Sequence, residues 1–397
     1  MASLLSEHFL SEVYGNRSYS FTDDVFGAAS ALDWADINSI LENHWHDPTV
    51  VRLVNDNKPV LSSEYVKPRR WRGKLEVADF YENLKQGASI VVEDVAAWQP
   101  SLLNLALQFE AVLHEPVETQ LFISGPYASG LGLHWDPYDV FAVQLLGQRR
   151  WKLYGRTRES PLLVDKAAPD SPDLELVEQV ELHEGDTLYV PRGWWHDAGV
   201  AKQPSAHLTL VVPKRTGVDF LAWLGEEIRA DSVARLDLPR FGNNEQREVY
   251  ADALRELIAQ NVTPEKIAEF LSLQDRYADA TAAFSLPWVL GQKPYRLQNV
   301  RVINLVPRAE LVSTEKDVHL LADGTSYTFE LSARSALYEI FTRNNDMLAS
   351  DVGGLCDLSD QELLGLLEEL QRSGLVATVP SDGSDSGPTD RSYERGG

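Results

Sequence analysis

Cysteine is nearly absent from this chain: Cys356 is the only one in 397 residues. A single thiol excludes an intramolecular disulfide framework and any cysteine-rich metal site. Cys356 itself reads as a small residue beside a helix. Positive charge is also scarce, with 36 Lys and Arg against 60 Asp and Glu and a formal charge of -24. Like-charge repulsion on that scale opposes general binding to nucleic acid or anionic membranes. It suits a basic protein partner, although acidity is also a common solubility device. No hydrophobic run is long enough to cross a bilayer. Met1 to His8 lacks the basic and sustained apolar segments of a secretory signal. The expectation is a cytoplasmic protein, with enough residues for a sizeable core in two or three domains.

What is present centres on Leu131-Gly132-Leu133-His134-Trp135-Asp136-Pro137-Tyr138-Asp139, which runs into the β-branched and apolar residues 140–146. On a strand, alternate side chains share a face. His134 and Asp136 would then offer imidazole and carboxylate to one point. A third ligand follows in Val190-Pro191-Arg192-Gly193-Trp194-Trp195-His196. Two histidines and one carboxylate on one triangular face form the donor set of non-haem Fe(II) oxygenases, with the opposite face open to cosubstrate and O₂. A histidine two residues before an aspartate is weak by itself. Context strengthens it: a glycine-rich approach at 125–130, a turn at Gly147, a returning strand from Arg149 to Tyr154, and Glu184-Gly185-Asp186 before Thr187-Leu188-Tyr189-Val190-Pro191.

In that order these motifs resemble the JmjC-type, cupin-like 2-oxoglutarate oxygenases, in the branch of ribosomal oxygenases that hydroxylate side chains of ribosomal proteins. The motif match covers residues 119–212, with a looser likeness in layout elsewhere. The resemblance implies a double-stranded β-helix (jelly-roll) of α+β class, with His134, Asp136 and His196 as both metal ligands and catalytic residues. It implies Fe(II) and 2-oxoglutarate as cofactors. It places the partner of the cosubstrate's distal carboxylate at Arg149. The chemistry agrees, because a carboxylate buried in an apolar barrel needs a bidentate cation. Arg150 would face the other way, and a one-residue slip would exchange the two. The loop 201–205 lies where related enzymes contact substrate or cosubstrate, which makes Ser205 and His207 further candidates. For His207 a core position is as good a reading.

Trp135, Trp194 and Trp195 flank the ligands and read as a water-excluding wall or as barrel packing, with packing favoured for Trp194. Tyr138 and Asp139 are candidates for facing substrate or supporting the ligands. His183 precedes a turn and is expected to be exposed. His44 and His46 share the two-residue spacing but have no carboxylate or barrel pattern, so their reading is structural.

Along the rest of the sequence, residues 1–118 read as a mixed α/β lead-in packing on the barrel rather than an independent unit. A short helix is expected at 9–14, strands at 49–54 and 88–93, and helices at 75–84 and 101–113, the last capped by Ser101. Residues 119–213 carry the barrel, ending in the clean alternation of 206–212. Residues 214–290 turn helical, with Val249, Leu254, Leu257 and Ile258 on one side of the helix 245–260, and Thr263-Pro264 opening another. The resemblance makes this block a homodimerisation region; the residues alone equally allow a helical domain packed on its own barrel. Residues 296–380 look like a small winged-helix-like domain, with strands at 300–306 and 326–331 and a helix at 333–344. A second helix begins at a Ser359/Glu362 capping box, and a closing strand spans 374–379. Its acidic helix disfavours phosphate binding and points to protein interaction. Residues 381–397 have the composition of a disordered tail.

The function implied is hydroxylation of a C–H bond in an amino-acid side group of a protein substrate, a basic ribosomal protein. No nucleic-acid or membrane contact is expected. The rivals are a hydroxylase of a peptide or small natural product, a demethylase sharing the same iron chemistry, and a non-catalytic interaction protein. Similar ligand sets in related barrels also hold Mn, Ni or Zn.

Overall fold

The computed structural model describes residues 5–381, apart from 25, 29, 30, 57, 70–72, 127, 129, 168–173, 200–202, 287, 291–295, 344 and 345. The protein forms two compact units, 1–215 and 216–397.

The first unit opens with a π-helical turn at Phe9–Val13. There follow β1 (Tyr19–Phe21), α1 (Trp34–His44), β2 (Val51–Asn55), β3 (Lys58–Pro59), β4 (Val66–Lys67), β5 (Lys74–Leu75) and α2 (Val77–Lys85). Then come β6 (Ser89–Glu93), α3 (Pro100–Leu113), β7 (Glu118–Ser124), β8 (Asp139–Leu146), β9 (Arg149–Arg156) and β10 (Glu178–Leu182). The unit closes with β11 (Thr187–Val190), β12 (Trp194–Ala198) and β13 (Ser205–Val212). An eight-stranded antiparallel sheet runs in the order β1-β11-β8-β13-β7-β6-β2-β3, and a three-stranded sheet runs β10-β9-β12. Residues 1–118 thus add four strands to the larger sheet. The smaller sheet faces it across a cavity.

The period-two pattern decides which face does what. On β13, Leu208, Leu210 and Val212 join Phe141, Val143 and Leu145 of β8 in the main core, under Leu102, Leu105 and Phe109 of α3. Fully burying each such side group stabilises the fold by about 1.5–3 kcal/mol. The alternate residues of β13, His207, Thr209 and Val211, line the cavity together with Gln120, Phe122 and Ser124 of β7. A second cluster, including Trp151, Leu153, Leu182, Leu188 and Val190, fills the space between the sheets.

Two local expectations are corrected here. The strand after the turn at Gly147 does not return beside β8, because the backbone passes there from one sheet to the other. The φ of Gly147 is +68° and a Cβ there would meet the Pro204 carbonyl oxygen at 2.5 Å, so only glycine fits. Helix α3 begins at Pro100 with Gln99 at the N-cap. Ser101 Oγ is drawn away to donate to the Ala31 carbonyl at 2.6 Å, so it does not cap.

The second unit carries α4 (Gly217–Glu227), α5 (Asn244–Asn261) and α6 (Pro264–Arg276). Thr263 accepts from the Lys266 N–H at the start of α6. On α5 only Leu257 is buried; Val249 and Ile258, expected on the same apolar side, are exposed. Beyond the helices lie β14 (Val300–Asn304), β15 (Glu310–Ser313), β16 (Asp317–Ala322), β17 (Thr325–Glu330), α7 (Arg334–Tyr338), β18 (Asp346–Leu348), α8 (Ala349–Leu355), α9 (Asp360–Arg372) and β19 (Val376–Pro380). They form the sheets β18-β14-β19 and β15-β16-β17. The helix expected over 333–344 is α7 followed by a π-helical turn at Glu339–Arg343. Ser359 and Glu362 make their capping box, and Leu363, Leu366, Leu367 and Leu370 bury the inner face of α9. Cys356 is the C-cap of α8. Most of the tail expected to be disordered, from 382 onward, lies outside the described residues.

Candidate metal centre

His134 and Asp136 lie in the loop leading into β8 and not on the strand itself, as the alternation argument had it. Pro137 follows Asp136, and the strand begins only at Asp139. What holds the loop in an extended register is a two-way backbone pairing with β12. The His134 N–H donates to the His196 carbonyl at 3.1 Å, and the His196 N–H to the His134 carbonyl at 2.8 Å. His196 sits in the middle of β12, where the register with β9 shifts at Trp195/His196. Such a shift re-aims a side group relative to its neighbours.

Both imidazoles place Nδ1 on a backbone carbonyl, His134 on Gly132 at 2.8 Å and His196 on Trp194 at 2.9 Å. A carbonyl only accepts, so in the neutral ring Nδ1 carries the proton and Nε2 the lone pair. The two Nε2 atoms lie 3.5 and 3.6 Å from Asp136 Oδ2. One ligand atom from each of the three residues falls within 4.8 Å of the others. The donor types and the way both rings are oriented by their far nitrogens fit a divalent transition metal.

Arg149, at the start of β9, is 1 % exposed. Its Nε and Nη2 donate to the Ala198 carbonyl at 3.2 and 2.8 Å, Nη2 also reaches the Ala128 carbonyl at 3.4 Å, and Nη1 lies 3.5 Å from Ser205 Oγ. Among the described residues no carboxylate pairs with this guanidinium. Burial lowers its pKa to about 10, partly offset by Asp197, so it stays charged at neutral pH. A buried cation beside a metal donor set fits an anionic ligand. Arg150 points outward and pairs with Glu181 at 3.0 Å.

Ser205 and His207 share the inner face of β13. His207 stacks on Phe122 at 5.2 Å and meets the edge of Trp151 at 5.3 Å. Burial first, then Arg149, lowers its pKa to about 3, so it is neutral. Asp197 is shifted upward by its own burial, against the pull of Lys152, Arg149 and His134.

The cavity joining these groups holds about 280 Å³. Its aromatic wall is Trp151, Phe122 and Tyr138. Trp135, Trp194 and Trp195 do not line it: Trp195 is buried with Nε1 on Thr157 Oγ1 at 2.9 Å, and Trp194 packs on the inter-sheet cluster. Asp139 also misses the cavity and is fully buried. At the outer end lie Gln120, Glu118 and Arg52, the last paired with Glu93. Sequence reasoning missed Trp151, Gln120 and Arg52. The polar residues Gln120 and Ser124, at strand spacing on β7, were the available signal. His44 packs against Trp98 with ring centres 4.0 Å apart and planes tilted by 35°, and His183 is exposed.

Comparison with known proteins bears on the family and the fold. Residues 119–212, from which the resemblance was read, fall within the match to the JmjC domain family. The bifunctional lysine-specific demethylase and histidyl-hydroxylase NO66 of Drosophila persimilis is 28% identical over 139 residues, 35% of this chain and 20% of that protein. Its namesake from Drosophila mojavensis is 31% identical over 130 residues, 32% of this chain and 15% of that protein. The chain spans a fifth or less of the length of these curated relatives. Among solved structures, YcfD, a ribosomal oxygenase from Escherichia coli in complex with cobalt and 2-oxoglutarate, superposes with a TM-score of 0.55 at 20% identity, covering 93% of this chain and 97% of that one. That likeness establishes the cupin-like fold. The JmjC domain model matches residues 98–219 of this chain.

Proposed function

We propose that this protein is an Fe(II)- and 2-oxoglutarate-dependent oxygenase that hydroxylates a C–H bond in an amino-acid side group of a protein substrate, a ribosomal protein. The observation that carries the reading is one cavity containing both a two-histidine, one-carboxylate donor set and a buried guanidinium with no carboxylate partner among the described residues. The structural neighbour YcfD, solved with cobalt and 2-oxoglutarate, supports it.

His134, Asp136 and His196 would hold the metal, and Arg149 with Ser205 would take the far carboxylate of the cosubstrate. Iron and 2-oxoglutarate would together supply an O₂-dependent oxidation that converts the cosubstrate to succinate and CO₂ and places one oxygen atom in the substrate C–H bond. The protein's part is to orient and to exclude water. Gly132 and Trp194 carbonyls fix the imidazole tautomers. The Ala198 carbonyl keeps the guanidinium directed into the cavity. His207 stays neutral beside Arg149 and so does not compete for the carboxylate. Trp151 and Phe122 wall off solvent. The substrate residue would enter past Tyr138, Gln120 and Glu118.

The same reading makes the protein a cytoplasmic homodimer that does not bind nucleic acid directly. No helix among the described residues is long and apolar enough to cross a membrane. Leu238, Phe241, Val249 and Leu271 of the helical block are exposed and apolar, which supports a self-association face. The segment 296–380 is read as a winged-helix-like protein-interaction unit.

The test is anaerobic Fe(II) and 2-oxoglutarate binding, then succinate release in air with and without ribosomal proteins. Succinate formation coupled to a product heavier by one oxygen atom is expected. Loss of a methyl group from a methylated lysine instead would make it a demethylase. Folded protein that binds neither cofactor would leave a non-catalytic interaction protein.

A further inference from the structure

Asp139, the first residue of β8, is fully buried and stands apart from the cavity. A buried carboxylate persists only where donors satisfy it. Oδ1 accepts from the Arg192 backbone N–H at 3.0 Å. Oδ2 accepts from the Tyr189 hydroxyl at 2.5 Å and pairs with Lys214 Nζ at 2.6 Å. The Tyr189 oxygen in turn accepts from the Gly15 N–H at 2.6 Å, and Lys214 Nζ lies 3.5 Å over the Tyr14 ring.

The Arg192 contact has the widest consequence. Residues 191–193 are the turn that leads into β12 and so delivers His196. The next residue, Gly193, donates its N–H to the Asp136 carbonyl at 2.8 Å. The turn is therefore tied twice to the loop bearing the other two ligands, once by backbone and once by the Asp139 carboxylate.

We propose that Asp139 is a positioning residue for the metal centre: its Oδ1 fixes the turn 191–193 and thereby sets His196 opposite His134 and Asp136. Lys214 neutralises the carboxylate that does this. The inference rests on the metal-binding reading above. It differs from a packing role in one respect, that the acceptor oxygen matters and the charge does not.

Two full-length double variants separate these. Asp139→Asn/Lys214→Met removes the charge pair and keeps an amide oxygen for Arg192. Asp139→Val/Lys214→Met removes the oxygen as well. Each is titrated anaerobically with Co(II), with its visible absorption bands recorded and its fold checked by circular dichroism. The asparagine variant should bind Co(II) within about threefold of the unmodified protein, and the valine variant about 10–100-fold more weakly with altered bands. Equal affinity and equal bands in the two would overturn the proposal. Should the valine variant not fold, Asp139→Asn alone carries the test. Its NH₂ meets either the Lys214 ammonium or the Arg192 N–H, donor against donor in both orientations. Co(II) affinity should then fall and recover on adding Lys214→Met; no recovery refutes the role. An unmodified protein that binds no Co(II) would refute the metal site itself, whereas one that binds while both double variants match it refutes only Asp139.

Discussion

His134 and His196, distant in sequence, exchange both of their backbone hydrogen bonds and hold their rings 4.3 Å apart at 60°. The pairing is an isolated bridge, one rung between the loop before β8 and the middle of β12. The relative position of the two imidazoles is thus written into the backbone.

Asp136 bears on the same point. One of its bonds, from the Gly193 N–H, uses the backbone carbonyl and survives substitution of the carboxylate by alanine. Asp136→Ala should therefore abolish Co(II) binding and turnover while moving unfolding stability by no more than about 1 kcal/mol. Isothermal titration with Co(II) beside a urea melt checks both halves. Co(II) affinity within tenfold of the unmodified protein would remove Asp136 from the donor set.

Arg149 is a buried cation, and if it serves the cosubstrate's far carboxylate as proposed, it should cost stability whenever that ligand is absent. Arg149→Met is expected to raise the apparent KM for 2-oxoglutarate about 100-fold, the scale of a lost charge-assisted bidentate pair, without weakening Co(II). The melting temperature of the cosubstrate-free variant should equal or exceed that of the unmodified protein. Arg149→Lys should not rescue binding, because a point charge lacks the fork. Arg150→Gln, outward on the next position, should change neither quantity. A KM unaffected by Arg149→Met would place the cosubstrate's tail elsewhere.

The fold makes His207 an acid-sensitive point. Its pKa drops from 6.5 to about 3 because burial, and secondarily Arg149, disfavours the proton. Between those values the unfolded state binds a proton that the folded one refuses. The stabilisation is therefore complete above pH 6.5 and is lost as pH falls toward 3. Urea midpoints at about pH 7 and about pH 4.5 should differ by less in His207→Gln than in the unmodified protein. An equal difference in both would show that His207 titrates normally.

Much of this site was legible because its signals are local. The His134/Asp136 spacing, the turn at Gly147 and the alternation of 206–212 each lie within a few residues. The pieces that escaped are those set by contacts between distant segments. Tyr19 pairs with Tyr189 across the sheet, and Asp139 finds Lys214 and, through Tyr189, Gly15. Nothing near Asp139 in the sequence announces that it turns away from the cavity while Tyr138 lines it. The wall fell to Trp151 rather than to Trp135, Trp194 and Trp195, because position on β9 decides which ring looks inward. In the second unit, β15 escaped because its four residues, Glu310 to Ser313, are too few to show a period, although β16 does alternate in burial.

Two glycines on the approach to His134 lie against different parts of the site. Gly130 has φ +63°, and a Cβ there would lie 3.1 Å from Arg149 Nη2. That nitrogen is held by the Ala198 and Ala128 carbonyls and has little room to retreat. Gly132 has φ +66°, its Cβ would meet Asp56 Oδ1 at 3.2 Å, and its carbonyl orients His134. At both positions a Cβ costs about 1–2 kcal/mol for the left-handed backbone, so both alanine variants should lose stability alike. Their binding defects should differ. Gly130→Ala should raise the KM for 2-oxoglutarate about tenfold, as displacing one hydrogen bond to a charged group does, with Co(II) affinity unchanged. Gly132→Ala should weaken Co(II) by a similar factor through the His134 ring. Measuring both constants on both variants decides it: defects that coincide would mean that this segment moves as one piece and that its two glycines serve the backbone alone.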